Sequence, residues 1–175
     1  MPQRKLVLFT DIGDTIIDEG TEIHSPDGTV VSASTIPGAK EAYLRLYEEG
    51  FPIVMVADGL TRSFSNTMKQ NGLDHIFSAR IISEEIGEDK PSAKMFSAAL
   101  EALGLTDADK PRVLMIGNNI ARDILGANRF GIRSVLLTWS KRRSFEPTVP
   151  DEIPTCRIAS PDELPPLVLK LESEF

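Results

Sequence analysis

Three observations predict an α/β fold built on a parallel sheet. Apolar runs of strand length recur along the chain, longer amphipathic stretches separate them, and the two kinds alternate almost from end to end. Runs such as KLVLFT (5–10) and FPIVMVA (51–57) show no in–out alternation, which is how strands covered on both faces read. The alternation then implies a three-layer α/β/α sandwich, Rossmann-like, with about five parallel strands and the first in the middle. At 175 residues the chain is long enough for one such domain, 1–175, with its own core.

The elements follow in order. After the first strand, residues 19–36 turn polar around SPDGT (25–29), and this segment reads as a small hairpin insertion. The stretch 37–50 opens on Pro37 and stops at Gly50 with Ala42, Leu44, Leu46 and Tyr47 supplying much of an apolar face, so it is a helix. The second strand, 51–57, is followed by a helix over 61–72 that ends at Asn71–Gly72. SARIIS (78–83) is a third strand, 91–104 a strongly periodic helix, RVLMIG (112–117) a fourth strand, 120–131 a helix and RSVLLTW (133–139) a fifth strand. Ser160 and Glu163 form a capping box that starts a C-terminal helix over about 161–173.

Composition narrows the functional classes. The net charge of −7 argues against nucleic acid or an anionic membrane as partner, and no segment approaches the ~18 apolar residues of a membrane span. The single cysteine, Cys156, cannot form an internal disulfide and reads as a buried thiol, which suits a reducing compartment. The N-terminal apolar run is too short for a signal peptide, so a cytoplasmic protein is expected.

The chemistry gathers at the carboxyl ends of the strands, where ligands of such sheets bind. Asp11 ends the first strand, Ala57–Asp58–Gly59 the second, Gly117–Asn118–Asn119 the fourth, and Lys90 precedes a helix. Carboxylates with one lysine suit a hard divalent cation and a phosphoryl group. Four segments carrying these residues, FTDIGDTII, IVMVADG, EDKPSAKMF and VLMIGNNIARDILGANRFGI, follow one another in the order and spacing of a known family. Through them the chain resembles the haloacid dehalogenase-like hydrolases over roughly residues 4–138.

The resemblance implies a Mg2+-dependent phosphoryl transfer through an aspartyl-phosphate. Residue by residue, Asp11 corresponds to the nucleophile and Lys90 to the charge-stabilising lysine. Ala57, Asp58, Gly59 and Thr15 correspond to the phosphoryl-binding positions, and Asp11, the carbonyl of Gly13, Asn118 and Asp123 to the metal ligands. Three positions depart from the family pattern. Gly13 stands where the acid/base Asp belongs, Ala57 where a hydroxyl binds phosphoryl, and Asn118 where an Asp ligates the metal. A positioned acid or base is worth ~10²–10⁴ in rate, so the expected enzyme is slow or limited to activated phosphates unless Asp14 or Asp58 compensates.

The partner implied is a phosphorylated small molecule or macromolecule. Residues 16–36 leave room for a hairpin and not for the family's cap domain, so an open site is expected. An open site suits large substrates or a neighbouring subunit acting as a lid, which brings a homo-oligomer among the expected partners. The rival reading is a degenerate member that binds a phosphorylated ligand or a partner without turnover. Dehalogenase chemistry, in which Asp11 would attack carbon, is a minor alternative. The basic triplet Lys141–Arg142–Arg143 follows the fifth strand on the site's edge and reads as a solvated face or as a steering patch for anions.

Overall fold

The computed structural model describes residues 4–175. Six parallel strands form its central sheet: β1 (Val7–Thr10), β4 (Ile53–Ala57), β5 (Ala79–Ile82), β6 (Val113–Gly117), β7 (Arg133–Leu137) and β8 (Cys156–Ile158), in the order β5-β4-β1-β6-β7-β8. The first strand is central, with Phe9 level with Val54 on one side and Met115 on the other. The chain builds outward from β1 through β4 to β5, then returns to build β6, β7 and β8 on the opposite side. The crevice between β1 and β6 is therefore the switch point where a ligand site belongs.

The sheet has one strand more than the sequence suggested. The extra strand, β8, is three residues long at the edge beside β7, too short for periodicity to reveal. It carries Cys156, which is half-buried and not the fully buried thiol expected.

Successive residues of the inner strands feed two cores. Leu6, Leu8, Met55 and Leu114 face the side covered by α1 (Ala39–Glu48), α2 (Thr61–Gln70) and α6 (Leu164–Glu172), where Tyr43, Leu46, Met68 and Val168 pack. Val7, Phe9, Val54, Val56 and Met115 face the side covered by α4 (Ala93–Ala102) and α5 (Leu125–Phe130), against Met95, Phe96 and Ala127. Burial on both faces is why these strands are continuously apolar.

Three helix boundaries shift. The helix expected over 120–131 opens as a π-helical turn, Ile120–Ile124, before α5. The C-terminal helix expected from 161 begins at Leu164, after a 3₁₀ turn over Pro161–Glu163 that carries the capping box. Pro91, expected in the first turn of its helix, precedes the cap, since the Ser92 side chain accepts from the Lys94 amide ahead of α4. A one-turn α3 (Ser83–Ile86) follows β5.

Residues 19–36 do form a hairpin, β2 (Ile23–His24) against β3 (Val30–Ser32). It is fastened to α2: Val30 N donates to Ser63 Oγ at 2.9 Å, Asn66 Nδ2 donates to Val30 O at 3.0 Å, and Ala33 N donates to Gln70 Oε1 at 3.0 Å. No helix among the described residues is long and apolar enough to cross a membrane.

Candidate active site

β1 delivers Asp11 to the switch point, and the Asp11 amide still donates to Ile116 O of β6 at 2.9 Å. Its carboxylate meets the ammonium of Lys90, Oδ1 to Nζ 2.9 Å. Lys90 is 2% exposed, an unusual place for a lysine, and is compensated three ways. Besides Asp11, its Nζ lies 2.7 Å from Asp123 Oδ1 and donates to the Val56 carbonyl at 2.7 Å. Asp123 enters on the π-helical turn, and its Oδ2 accepts from the Asn119 amide at 3.0 Å. Gly117 makes the room: a Cβ there would stand 2.6 Å from that of Asp123, closer than two such carbons can come.

The charges answer to this crowding. Burial pushes the Asp11 carboxyl up to about 6, with Asp123's charge adding to the rise, and Lys90 only partly opposes them. Burial alone would lower the Lys90 pKa, but Asp11, Asp123 and Asp58 together outweigh it and raise the pKa above the ordinary lysine value. Asp58 is also raised by burial. Its Oδ1 accepts from the Lys90 amide at 2.8 Å and its Oδ2 from Arg122 at 3.2 Å, so both oxygens are engaged in positioning these neighbours.

A cavity of about 250 Å³ opens in front of Asp11. Gly13, Asp58, Gly59, Asn118 and Asp123 share its wall with Asp11, so loops far apart in sequence do meet here. Of the substrate-binding positions, Ala57 and Thr15 are fully buried and do not line it. The Gly59 amide, a natural donor to phosphoryl oxygen, is already given to Ser83 Oγ at 3.0 Å. The hairpin closes one side with Glu22, Gly28 and Val30, and α2 adds Ser63, Phe64 and Thr67. Ser63 Oγ is occupied by the Val30 amide.

The loop that follows β1 holds what sequence reasoning missed. Asp14, weighed from the sequence as a compensating acid, does not line the cavity. It is 0% exposed, has φ +49°, and its Oδ1 accepts from the Glu19 amide at 3.1 Å and from Arg142 Nη1 at 2.8 Å. Arg142 also reaches Asp18 Oδ1 at 2.9 Å, so it is neither a free cation nor a steering patch. Arg143, next to it, does line the cavity. Glu19, on a 3₁₀ turn over Glu19–Thr21, lines the cavity beside Asp11 and Gly13. Burial raises the Glu19 pKa, and the nearby charges of Asp14 and Asp11 raise it further. Only the density of acids in DEGTE (18–22) could have drawn attention to it in the sequence.

The donors at the site suit a hard cation. Asp11 and Asp123 bring carboxylates to the wall, and Gly13 lies beside them with backbone atoms alone. Asn118 is 2% exposed, and its buried amide nitrogen has no hydrogen-bond partner among the described residues. The side chain is thus uncommitted and can offer its oxygen. Among the described residues no three His, Cys, Asp or Glu side chains gather into a ready-made metal cluster. With an amide in place of a third carboxylate, the set fits magnesium weakly.

Sheet order, switch-point carboxylates and a buried lysine define an α/β protein with a carboxylate-lined crevice at the carboxyl ends of its strands. Residues 12–137 match the model of the haloacid dehalogenase-like hydrolases, and the chain belongs to that family. It is 31% identical to a glyceraldehyde 3-phosphate phosphatase of Methanopyrus kandleri over 85% of its own length and 68% of the relative's. It is 32% identical to the Escherichia coli pyrimidine 5′-nucleotidase YjjG over 77% of its own length, spanning 57% of that relative. The fold is shared with the putative HAD-hydrolase YfnB from Bacillus subtilis bound to magnesium, with TM-score 0.76, 18% identity, 95% of this chain and 99% of that one.

Proposed function

We infer that the chain is a phosphatase of small phosphorylated molecules that transfers the phosphoryl group to Asp11. One observation carries the reading: the Asp11 carboxylate faces a cavity while its Oδ1 is held 2.9 Å from a fully buried lysine ammonium. An aspartate so placed is oriented for attack, and the ammonium neutralises charge that would otherwise accumulate between Asp11, Asp123 and an incoming phosphoryl group. Arg122 and Arg143 line the same cavity and supply positive charge toward the phosphate. Its volume of about 250 Å³, closed on one side by the hairpin, suits a small phosphate ester better than the large substrates expected of an open site. The phosphatase relatives from Methanopyrus kandleri and Escherichia coli support the substrate class.

Magnesium bound by Asp11, Gly13, Asn118 and Asp123 would neutralise the phosphoryl oxygens. The chain's own residues do the rest. Asp11 accepts the phosphoryl group, Lys90 fixes the orientation of Asp11 and Asp123, and Asp58 holds the Lys90 backbone in register. Incubation with acetyl phosphate and Mg2+, followed by intact mass, tests the assignment. A phosphate-sized adduct lost in Asp11→Asn is the expected result, together with release of inorganic phosphate from small phosphate esters. The altered positions Gly13, Ala57 and Asn118 favour a second reading, a binder without turnover. Ligand-induced stabilisation by phosphate esters, with neither adduct nor phosphate release, would select it.

A further inference from the structure

Gly13 leaves a space at the cavity wall that another side chain already fills. A Cβ built on Gly13 would overlap Glu19 Oε1 and lie 3.1 Å from Glu19 Cδ and 3.3 Å from its Cγ. The carboxyl of Glu19 therefore occupies the space into which a side chain at position 13 would project, reached from six residues further along the chain. The seat exists only because residue 13 has no side chain.

That position is held and not incidental. The Glu19 amide is bound by the buried Asp14 carboxylate at 3.1 Å, and Asp14 is bound by Arg142 at 2.8 Å. Asp18 Oδ1 caps the turn by accepting from Gly20 N at 2.8 Å, and Thr21 Oγ1 accepts from Ser34 N at 2.8 Å, tying the turn to the segment just after β3. Against this fixed backbone the carboxyl itself is uncommitted. The one ion pair it makes among the described residues, to Arg143 Nη2, spans 3.9 Å. Glu19 lines the cavity together with Asp11, so a group attached to Asp11 and the Glu19 carboxyl share one small volume.

We propose that Glu19 is the acid and base of the reaction, supplied from the 18–21 turn in place of a carboxylate at position 13. The proposal rests on phosphoryl transfer to Asp11. In the first half, an Asp11 oxygen forms a bond to phosphorus, the bond to the leaving oxygen breaks, and that oxygen takes the proton of the Glu19 carboxyl. In the second half, Glu19 carboxylate takes a proton from water as the water oxygen bonds to phosphorus. The phosphorus–Asp11 bond then breaks, and phosphate, the Asp11 carboxylate and protonated Glu19 are restored. With this group in place, substrates need not carry an activated leaving group.

The test is the dependence on leaving group. Glu19→Gln keeps the size of the side chain and removes the proton. Its turnover of an alkyl phosphate such as glycerol phosphate is expected to fall ~10²–10⁴-fold, the range for a positioned acid or base. Phosphorylation of Asp11 by acetyl phosphate, whose leaving group departs unaided, should fall far less, and the adduct should persist longer by intact mass. The double variant Gly13→Asp/Glu19→Ala should recover alkyl phosphate turnover relative to Glu19→Ala, because position 13 then has both a carboxyl and the space for it. A loss below about tenfold in Glu19→Gln, or equal losses for alkyl and acetyl phosphates, would overturn the proposal. If Asp11→Asn alone abolishes activity, the phosphatase reading survives that failure. A wild-type protein that neither takes up nor releases phosphate would sink both.

Discussion

The two walls of the cavity use the same materials in different ways. On one, Asp11, Lys90 and Asp123 hang from β1, the segment before α4 and the turn after β6, with side-chain exposures of 16%, 1% and 1%. On the other, Asp14, Asp18 and Glu19 are held by loop hydrogen bonds and by Arg142, whose side chain is 43% exposed. A pair removed from water cannot lose one member without leaving a bare charge, whereas a pair reached by water can. The wall of Asp11, Lys90 and Asp123 is thus locked to the sheet, and the opposite wall is assembled from a turn held by loop hydrogen bonds.

The largest test of that contrast is Lys90→Met. It strands Asp11 and Asp123 in a buried site, and a broken buried pair costs ~3–5 kcal/mol. Urea unfolding should show a loss in this range; a loss below about 1 kcal/mol would mean that water reaches the locked wall after all.

Asp14→Ala comes next. It removes the acceptor for the Glu19 amide and one partner of Arg142, two hydrogen bonds worth ~0.5–1.5 kcal/mol each. The same change frees the 18–21 turn. Alkyl phosphate turnover should therefore drop more than acetyl phosphate labelling, and Asp14→Asn, which keeps an acceptor oxygen, should recover part of both. Equal effects on the two substrates would show that the turn needs no anchor.

The difference between the walls also decides what could be read from the sequence. Asp11, Lys90 and Asp123 sit at ends of regular elements, where periodicity and motif spacing place residues well, and the structure brings all three together. Glu19 lies in an irregular segment, and its seat depends on what a distant glycine lacks. A missing side chain reads as a loss until the coordinates show what fills the space. The role of Arg142 was hidden for a similar reason, since a basic triplet gives no sign of which member turns inward. The sixth strand escaped because three residues carry no period.

A smaller effect concerns protonation. The Asp11 carboxyl is raised from 3.8 to about 6, so the folded protein holds this proton more tightly than the unfolded chain does. The stability this contributes is complete below pH ~4 and is lost as the pH climbs through about 6. In chelator-treated protein, the stability difference between wild type and Asp11→Asn should therefore shift against the wild type over that window. A carboxyl carbon resonance of Asp11 should titrate with a midpoint near 6 and move to lower pH when Mg2+ is added, because a bound cation favours the charged form. A midpoint unmoved by Mg2+ would place the cation elsewhere.

The smallest effect expected is that of Asp18→Ala, and its smallness sharpens the picture of the outer wall. Asp18 caps the 3₁₀ turn through Gly20 N and shares Arg142 with Asp14. Its side chain is 22% exposed, so water can replace it at both partners, and a lost cap of this kind costs roughly 0.5–2 kcal/mol. Glu19 should keep its place, because its amide is held by Asp14 and not by Asp18, and the Asp18 amide still donates to Ser34 O at 2.9 Å. Turnover of alkyl phosphates by Asp18→Ala should stay close to wild type even where the melting temperature falls. A loss as large as that of Asp14→Ala would mean that Arg142 positions Glu19 through both carboxylates as one unit, and that the outer wall is as tightly coupled as the inner one.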